Sequence, residues 1–472
     1  MKAFNNIYKV AVNLLKITCV GLFLLVCQNL TAQTKVTARQ IPEKTRILFV
    51  LDGSGSMLAP WEGNSRINIA KKVMSKMIDS LAQVKNVQVG LRVYGHQFDK
   101  KHQNCGDTKL EVGFGDQNHE KIKAQLINIK PKGVTPISKT LEKAAGDFSN
   151  DPAYRNVIIM ITDGLESCDG DPCAVSKALQ RKRVFLQPFI IGIGMTRSDA
   201  SEFDCMGTFY NAQSVNQFDK ILHGIVKRSL TPTKVRVDLL DIRNNATETN
   251  VNMSFINALT GDTEYDFIHY IDKNGTPDVF QVDPVIKYDL VIHTTPKVIK
   301  KDIKLTDPKL NIIKVKTPQG SLVVSLNNYQ EYKDLQAIVK RKGSDEILHH
   351  FKINEEINLL VGRYEVEILT TPRKKVNVEI SQSKREKITL ETPGILNITD
   401  NFAGYGGIYE IDKNGFSTWV KNLNEKSVRT SIAMQPGQYK VVVRSKNAYG
   451  VEYTITKEFT IKPGLSTNVN LL

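Results

Sequence analysis

Between residues 46 and 230, short apolar runs alternate with stretches of helical period, and this alternation narrows the available folds more than anything else in the chain. Ile47 to Leu51 is continuously apolar and ends at Asp52 and a Gly/Ser turn, the pattern of a strand buried on both faces. Ile67, Ala70, Val73, Met74, Met77 and Leu81 then recur at the spacing of one helix face. Val87 to Val93 reads as a strand, 122–129 and 137–148 as helices, Val157 to Thr162 and Val184 to Ile193 as further strands, and 218–227 as a closing helix. Strands alternating with helices predict an α/β fold with a doubly wound, mostly parallel sheet over residues 44–230. In such sheets, functional groups gather beyond the carboxyl ends of the strands.

After Thr231-Pro232 the texture changes to short alternating strands, and the sequence repeats itself. Tyr288-Asp-Leu-Val-Ile292 recurs as Tyr364-Glu-Val-Glu-Ile368 and Tyr439-Lys-Val-Val-Val443, at spacings of 76 and 75. Thr-Thr-Pro follows the first two tyrosines at one offset, and Thr-Pro opens units at Thr231, Thr317 and Thr392. This periodicity predicts three all-β sandwich modules, 231–316, 317–391 and 392–472. Ile271-Asp-Lys-Asn-Gly275 recurs as Ile411-Asp-Lys-Asn-Gly415. It lacks the spaced carboxylates of a calcium loop and reads as a hairpin turn.

The leading residues stand apart. Lys2, Lys9 and Lys16 precede an apolar run from Ile17 to Cys27, and Ala32 follows shortly after. The order predicts a signal peptide, 1–32, cleaved after Ala32, and an exported protein of the periplasm, outer-membrane surface or medium. The run is shorter than the roughly 20 residues of a spanning helix, and no later segment reads as one. Lipidation at Cys27 is disfavoured by the bulky Val26 before it. The segment takes three lysines with it, which lowers the 64 basic side chains to 61 against 49 acidic. The excess is spread along the chain without a nucleic-acid motif, so no nucleic-acid partner is expected.

Four cysteines remain, Cys105, Cys168, Cys173 and Cys205. An even number in an exported chain reads as disulfides. Three connectivities are open; the tight Asp169-Gly170-Asp171-Pro172 turn favours Cys168 with Cys173, which leaves Cys105 with Cys205. A four-thiolate zinc site would need two close pairs, and only one is present.

The chemistry concentrates at three turns. Asp52-Gly53-Ser54-Gly55-Ser56 sets a carboxylate and two hydroxyls at alternate positions on a loop tightened by glycines. Asp163 ends the 157–162 strand, and Thr135 precedes the helix from Ile137. In a doubly wound sheet these turns share one edge, where their oxygens suit a hard divalent ion. Two carboxylates and three hydroxyls leave such an ion under-neutralised, so a carboxylate from outside can complete its shell. Taken singly, each turn has a structural explanation, Thr135 as a helix cap among them.

Together, Asp-Xaa-Ser-Xaa-Ser, the Thr before a helix and Thr-Asp-Gly after a second strand resemble the metal-ion-dependent adhesion site of von Willebrand factor A domains. The resemblance covers roughly residues 44–230. It implies that Ser54, Ser56 and Thr135 contact a divalent cation, magnesium first with manganese or calcium as alternatives, and that Asp52 and Asp163 hold it largely through water. Tyr94-Gly95-His96, Cys105-Gly106-Asp107 and the 165–173 segment are similar to a narrower group of secreted bacterial A domains, which implies an extracytoplasmic home. The partner implied is a protein or surface ligand that presents a carboxylate.

Other residues point less sharply. Trp61 either rims the site or packs on the next helix. His96 and His102 read as hydrogen-bonded or solvated, Asp169 and Asp171 as part of a polar turn, and Gly192-Ile-Gly194 as a strand end. No GxSxG elbow accompanies Ser54 or Ser56, so the expectation is a binding protein and not an enzyme. A structural subunit of an envelope assembly and a metal-assisted hydrolase are the alternatives.

Overall fold

Five apolar residues in a row need cover on both sides of a sheet, and the fold supplies it. The computed structural model describes residues 41–195, 201–306, 309–327 and 332–471; the expected signal segment lies outside them. In chain order the first part has strands β1 (Lys44–Asp52), β2 (Pro60–Trp61), β3 (Asn64–Ser65), β4 (Val87–Tyr94), β5 (Thr108–Gly115), β6 (Tyr154–Thr162), β7 (Phe189–Ile193) and β8 (Thr208–Ala212). Its helices include α1 (Arg66–Leu81), α2 (His119–Asn128), α3 (Ile137–Ala145), α4 (Pro172–Arg181) and α5 (Val215–Leu230). A six-stranded sheet runs β5-β4-β1-β6-β7-β8, parallel except for β5. Along β1, Ile47, Phe49 and Leu51 join a core with α1, α2 and α5, whereas Leu48 and Val50 join a second core with α3 on the opposite face. The two-residue period of the strand thus feeds two apolar layers.

Helix α1 shows what holds these elements. Ser65 caps it by accepting from Asn68 N, worth about 1 kcal/mol. Its aliphatic side chains, Ile67, Val73, Ile78 and Leu81 among them, are buried, and each such burial contributes about 1.5–3 kcal/mol. Packing outweighs capping.

The structure adds elements to the sequence reading. β5 pairs antiparallel at the edge of the sheet, and Leu110, Val112 and Phe114 along it carry the two-residue alternation that marks a strand. α4 opens with Asp171 accepting from Ala174 N and with proline in its first turn, a recognised helix start. The strand expected from Val184 begins only at Phe189, because Val184 O and Leu186 N bond to Asn156 instead. The expected cysteine pairing is also corrected. Cys105 joins Cys168, and Cys173 joins Cys205. The residues between Cys168 and Cys173 are not a closed turn: Cys173 is already inside α4 and packs with Cys205 against the α3-side core.

Beyond Thr231 lie three pairs of small sheets, one of four strands and one of three in each pair. In every pair, the first and last strands run parallel in the three-stranded sheet, as with Thr233–Leu240 and Asn311–Lys316. The repeated tyrosines explain the periodicity. Tyr288, Tyr364 and Tyr439 are buried in successive cores, and their hydroxyls donate to Asp283 O, Leu360 O and Gln435 O at 2.8, 2.7 and 2.8 Å. A buried phenol needs such a partner, and here it ties each strand to the turn that feeds it. The Asp-Lys-Asn-Gly segments do fold alike, with Asp272 and Asp412 each accepting two backbone N–H groups. They are not in register with the repeat: only the second joins neighbouring strands of a four-stranded sheet.

The first module is bonded to the α/β part. Arg155 of β6 pairs with Asp283 at 2.6 Å, with both side chains buried, and Val285 belongs to the core beneath α1 and α5. Among the described residues, no helix is long and apolar enough to cross a membrane.

Candidate metal centre

β1 and β6 are neighbours, so Asp52 at the end of one and Asp163 just beyond the other emerge side by side. Asp52 is fully buried and Asp163 nearly so. Asp52 Oδ1 accepts from Ser54 N at 2.7 Å, which folds the turn back on its own carboxylate. Asp52 Oδ2 accepts from Thr162 Oγ1 at 2.8 Å, and Tyr94 OH donates to that hydroxyl in turn at 3.1 Å. Ser54 Oγ and Ser56 Oγ lie 2.9 Å apart, and Ser56 Oγ donates to Asp163 Oδ1 at 2.7 Å. Four of the five expected residues therefore form one hydrogen-bonded cluster, which opens to solvent at Ser56.

The fifth, Thr135, is buried on a loop bonded to the same turn. Gly55 N donates to Gly133 O at 3.0 Å, and Ser54 and Gly133 form a parallel bridge. Gly95 makes this approach feasible: its φ is +66°, and a Cβ there would sit 2.4 Å from Val134 O and 3.0 Å from Ser54 Cα. Thr135 does not cap α3. The first residue before that helix is Pro136, which makes no side-chain cap, and Glu166 Oε2 instead accepts from Ser138 N at 2.7 Å. Ser167 Oγ accepts from Thr135 N at 2.7 Å, so the loop after Asp163 positions the loop that carries Thr135.

Two buried carboxylates this close repel. Burial first, and then the charge of Asp163, pushes the Asp52 carboxyl up to about 6. Arg66, at the start of α1, meets this charge directly, with Nη1 2.6 Å from Asp163 Oδ2. Nothing in the spacing of the sequence singles out Arg66, because its role depends on where α1 begins relative to β6. Trp61 lies on the β2–β3 ribbon, half-buried against the core, and a Cβ on Gly194 would touch its ring at 3.4 Å. It therefore packs on the core, beside the end of β7. His96 Nε2 is held by Glu111 at 2.8 Å, while Asp171 caps α4.

The donor set fits a hard divalent cation. It is all oxygen, carries two carboxylates whose repulsion a cation relieves, and relies on hydroxyls for the rest. Among the described residues, no three His, Cys, Asp or Glu side chains gather as metal ligands, so a centre here depends on Ser54, Ser56 and Thr135.

The von Willebrand factor type A domain family matches residues 47–248. Two uncharacterized proteins of Bacillus subtilis (strain 168) are similar. YwmC is 30% identical over 210 residues, covering 42% of this chain and 90% of its own length. YwmD is 29% identical over 215 residues, covering 43% and 94%. Among solved structures, the conserved hypothetical protein BatB from Bacteroides thetaiotaomicron aligns with a TM-score of 0.33 and 21% identity, over 39% of this chain and 98% of that one.

Proposed function

The chain belongs to the von Willebrand factor type A domain family, and on that premise we propose that it is an exported binding protein that captures a carboxylate-bearing partner through a divalent ion. Ser54, Ser56 and Thr135 would hold the ion, with Asp52 and Asp163 behind them. When bound, the ion supplies a positive charge with an open position for a partner carboxylate. The observation that carries the reading is the bond from Ser56 to Asp163, which joins the hydroxyls of one turn to the carboxylate of a distant one. Arg66 holds Asp163 in place, Thr162 orients Asp52, and the exposed Ser56 leaves the cluster open to solvent, where a partner would approach. The two disulfides support an oxidising, extracytoplasmic home.

Calorimetric titration of the full mature chain with magnesium and manganese tests the ion site. Saturable binding that Asp52→Ala and Thr135→Val abolish, without loss of fold, is expected; unchanged binding in both variants would overturn it. Capture of envelope proteins should then require the ion, fail in EDTA and fail with Asp52→Ala.

A second reading, a structural subunit of an envelope assembly, draws on the buried Arg155–Asp283 bond that fixes the first module to the A domain. Assembly that survives Asp52→Ala would favour it. We read the protein as non-catalytic; turnover of an ester or phosphate substrate that Ser54→Ala abolishes would reverse this.

A further inference from the structure

The third module has a sheet face unlike those of its sisters. In its strand Gly404–Ile411, Ile408 is buried in the core, so the two-residue period turns Tyr405, Gly407 and Tyr409 outward. Tyr409 pairs with Trp419 on the edge strand Ser417–Asn422, and Tyr405 pairs with Arg444 of Gly437–Ser445. Tyr405 and Trp419 are 53% and 56% exposed. Trp419 Nε1 donates to Asn422 Oδ1 at 3.0 Å, which fixes the indole. Lys446 Nζ lies 5.5 Å from the Tyr405 ring centre, and Lys440 Nζ lies 5.9 Å from that of Tyr409.

The repeat tyrosines set the register for comparing the modules. Four residues after each, Ile292, Ile368 and Val443 pair with Met253, Ala337 and Gly406. On that register, Tyr405, Tyr409 and Trp419 stand where the second module has Gln336, Lys340 and Ile347, and the first has Asn252, Ile256 and Thr263. The connection between the last two strands of the four-stranded sheet differs too. At 293–297 and 369–373 it is a Thr-Thr-Pro turn whose central carbonyl accepts from Leu360 N or Gln435 N of the next module. At 446–454 it carries Tyr449 and Tyr453 instead, 88% and 56% exposed.

We propose that this face of the third module binds an extended acidic polysaccharide. The electron-rich faces of the rings suit the C–H faces of pyranose units, and the amide and amine groups between them suit the hydroxyl rim. Tyr405 and Tyr409 are about 13 Å apart along the strand, a span that needs a chain and not a single sugar. Lys440, Arg444 and Lys446 supply cations; Glu458 pairs across from Lys440, and Glu425 meets Lys446 at 3.1 Å. Arg444, beside Tyr405, is left without a carboxylate in this set, which favours an acidic chain over a neutral one. The proposal is independent of the ion site.

Affinity electrophoresis of the full mature chain, in EDTA, through gels containing polygalacturonate or dextran is the test. Retardation by polygalacturonate alone is expected, with Trp419→Ala and Tyr405→Ala each weakening it about tenfold. Substitution of Lys374 and Lys375 by alanine in the second module should leave it unchanged. Polygalacturonate should also quench tryptophan fluorescence, and Trp419→Phe should remove that quench even if an alanine variant unfolds. Equal migration in both gels, retardation by dextran alone, or retardation that survives both aromatic variants would overturn the proposal. So would a concentration-dependent dimer lost in Trp419→Ala without polysaccharide binding, since a second copy would then be the occupant.

Discussion

Arg66 and Gly95 show how much of the candidate centre rests on single side chains that no motif names. Asp163 is buried beside Asp52, and Arg66 is the cation that meets it. Arg66→Ala should therefore lower the thermal midpoint more in EDTA than in millimolar magnesium, because a bound ion takes over the neutralisation. Scanning fluorimetry in the two buffers checks this, and equal losses would count against the ion. Gly95 matters through space and not charge. Alanine at a φ of +66° with its Cβ 2.4 Å from Val134 O has to displace the loop that carries Thr135. Strain of this kind costs about 1–3 kcal/mol. Urea denaturation of Gly95→Ala should show a loss in that range and a weaker ion titration.

At the scale of elements, the same periodicities that were legible in the sequence also mark what was missed. The strands β1 and β6 and the helices α1 and α5 were readable because their buried residues are many and regularly spaced. β5, half-buried at the edge of the sheet, and α4, whose buried residues are Ser176 and Gln180, carry no such run of buried apolar side chains. The strand that carries Val237 illustrates a contact with no sequence signal at all. His269 is 2% exposed, and its ring Nε2 lies 2.9 Å from Val237 O. Burial holds its pKa below the ordinary 6.5. The folded module thus prefers the neutral ring, while the unfolded chain protonates first as the pH falls. Stability present above about pH 6.5 is therefore lost as the pH drops below it. The urea midpoint should fall between pH 7.5 and pH 5, and His269→Gln, which keeps an N–H for Val237 O without titrating, should flatten that slope.

On the scale of the whole molecule, the A domain and the first module behave as joined parts. Arg155 is 2% and Asp283 5% exposed at the side chain, and Arg228 adds a bond to Pro284 O. Removing one partner of a buried pair strands the other charge, at a cost of about 3–5 kcal/mol. Asp283→Ala should lower the calorimetric transition of the A domain although the residue lies outside it; an unchanged transition would mean that the two parts unfold independently.

The sequence by itself determined the α/β sheet, the change to repeated β modules and the turns that carry Asp52, Ser54, Ser56, Thr135 and Asp163. Those features are written in spacing along the chain, since a residue's face on a strand or helix follows from its position. Only the tertiary structure decided that Cys105 bonds Cys168, that Arg66 meets Asp163, that Glu166 caps α3 and that the third module bares its rings. Each of these depends on which loops and strands become neighbours. That is set by the order in which strands pair across the sheet, and no local period encodes it.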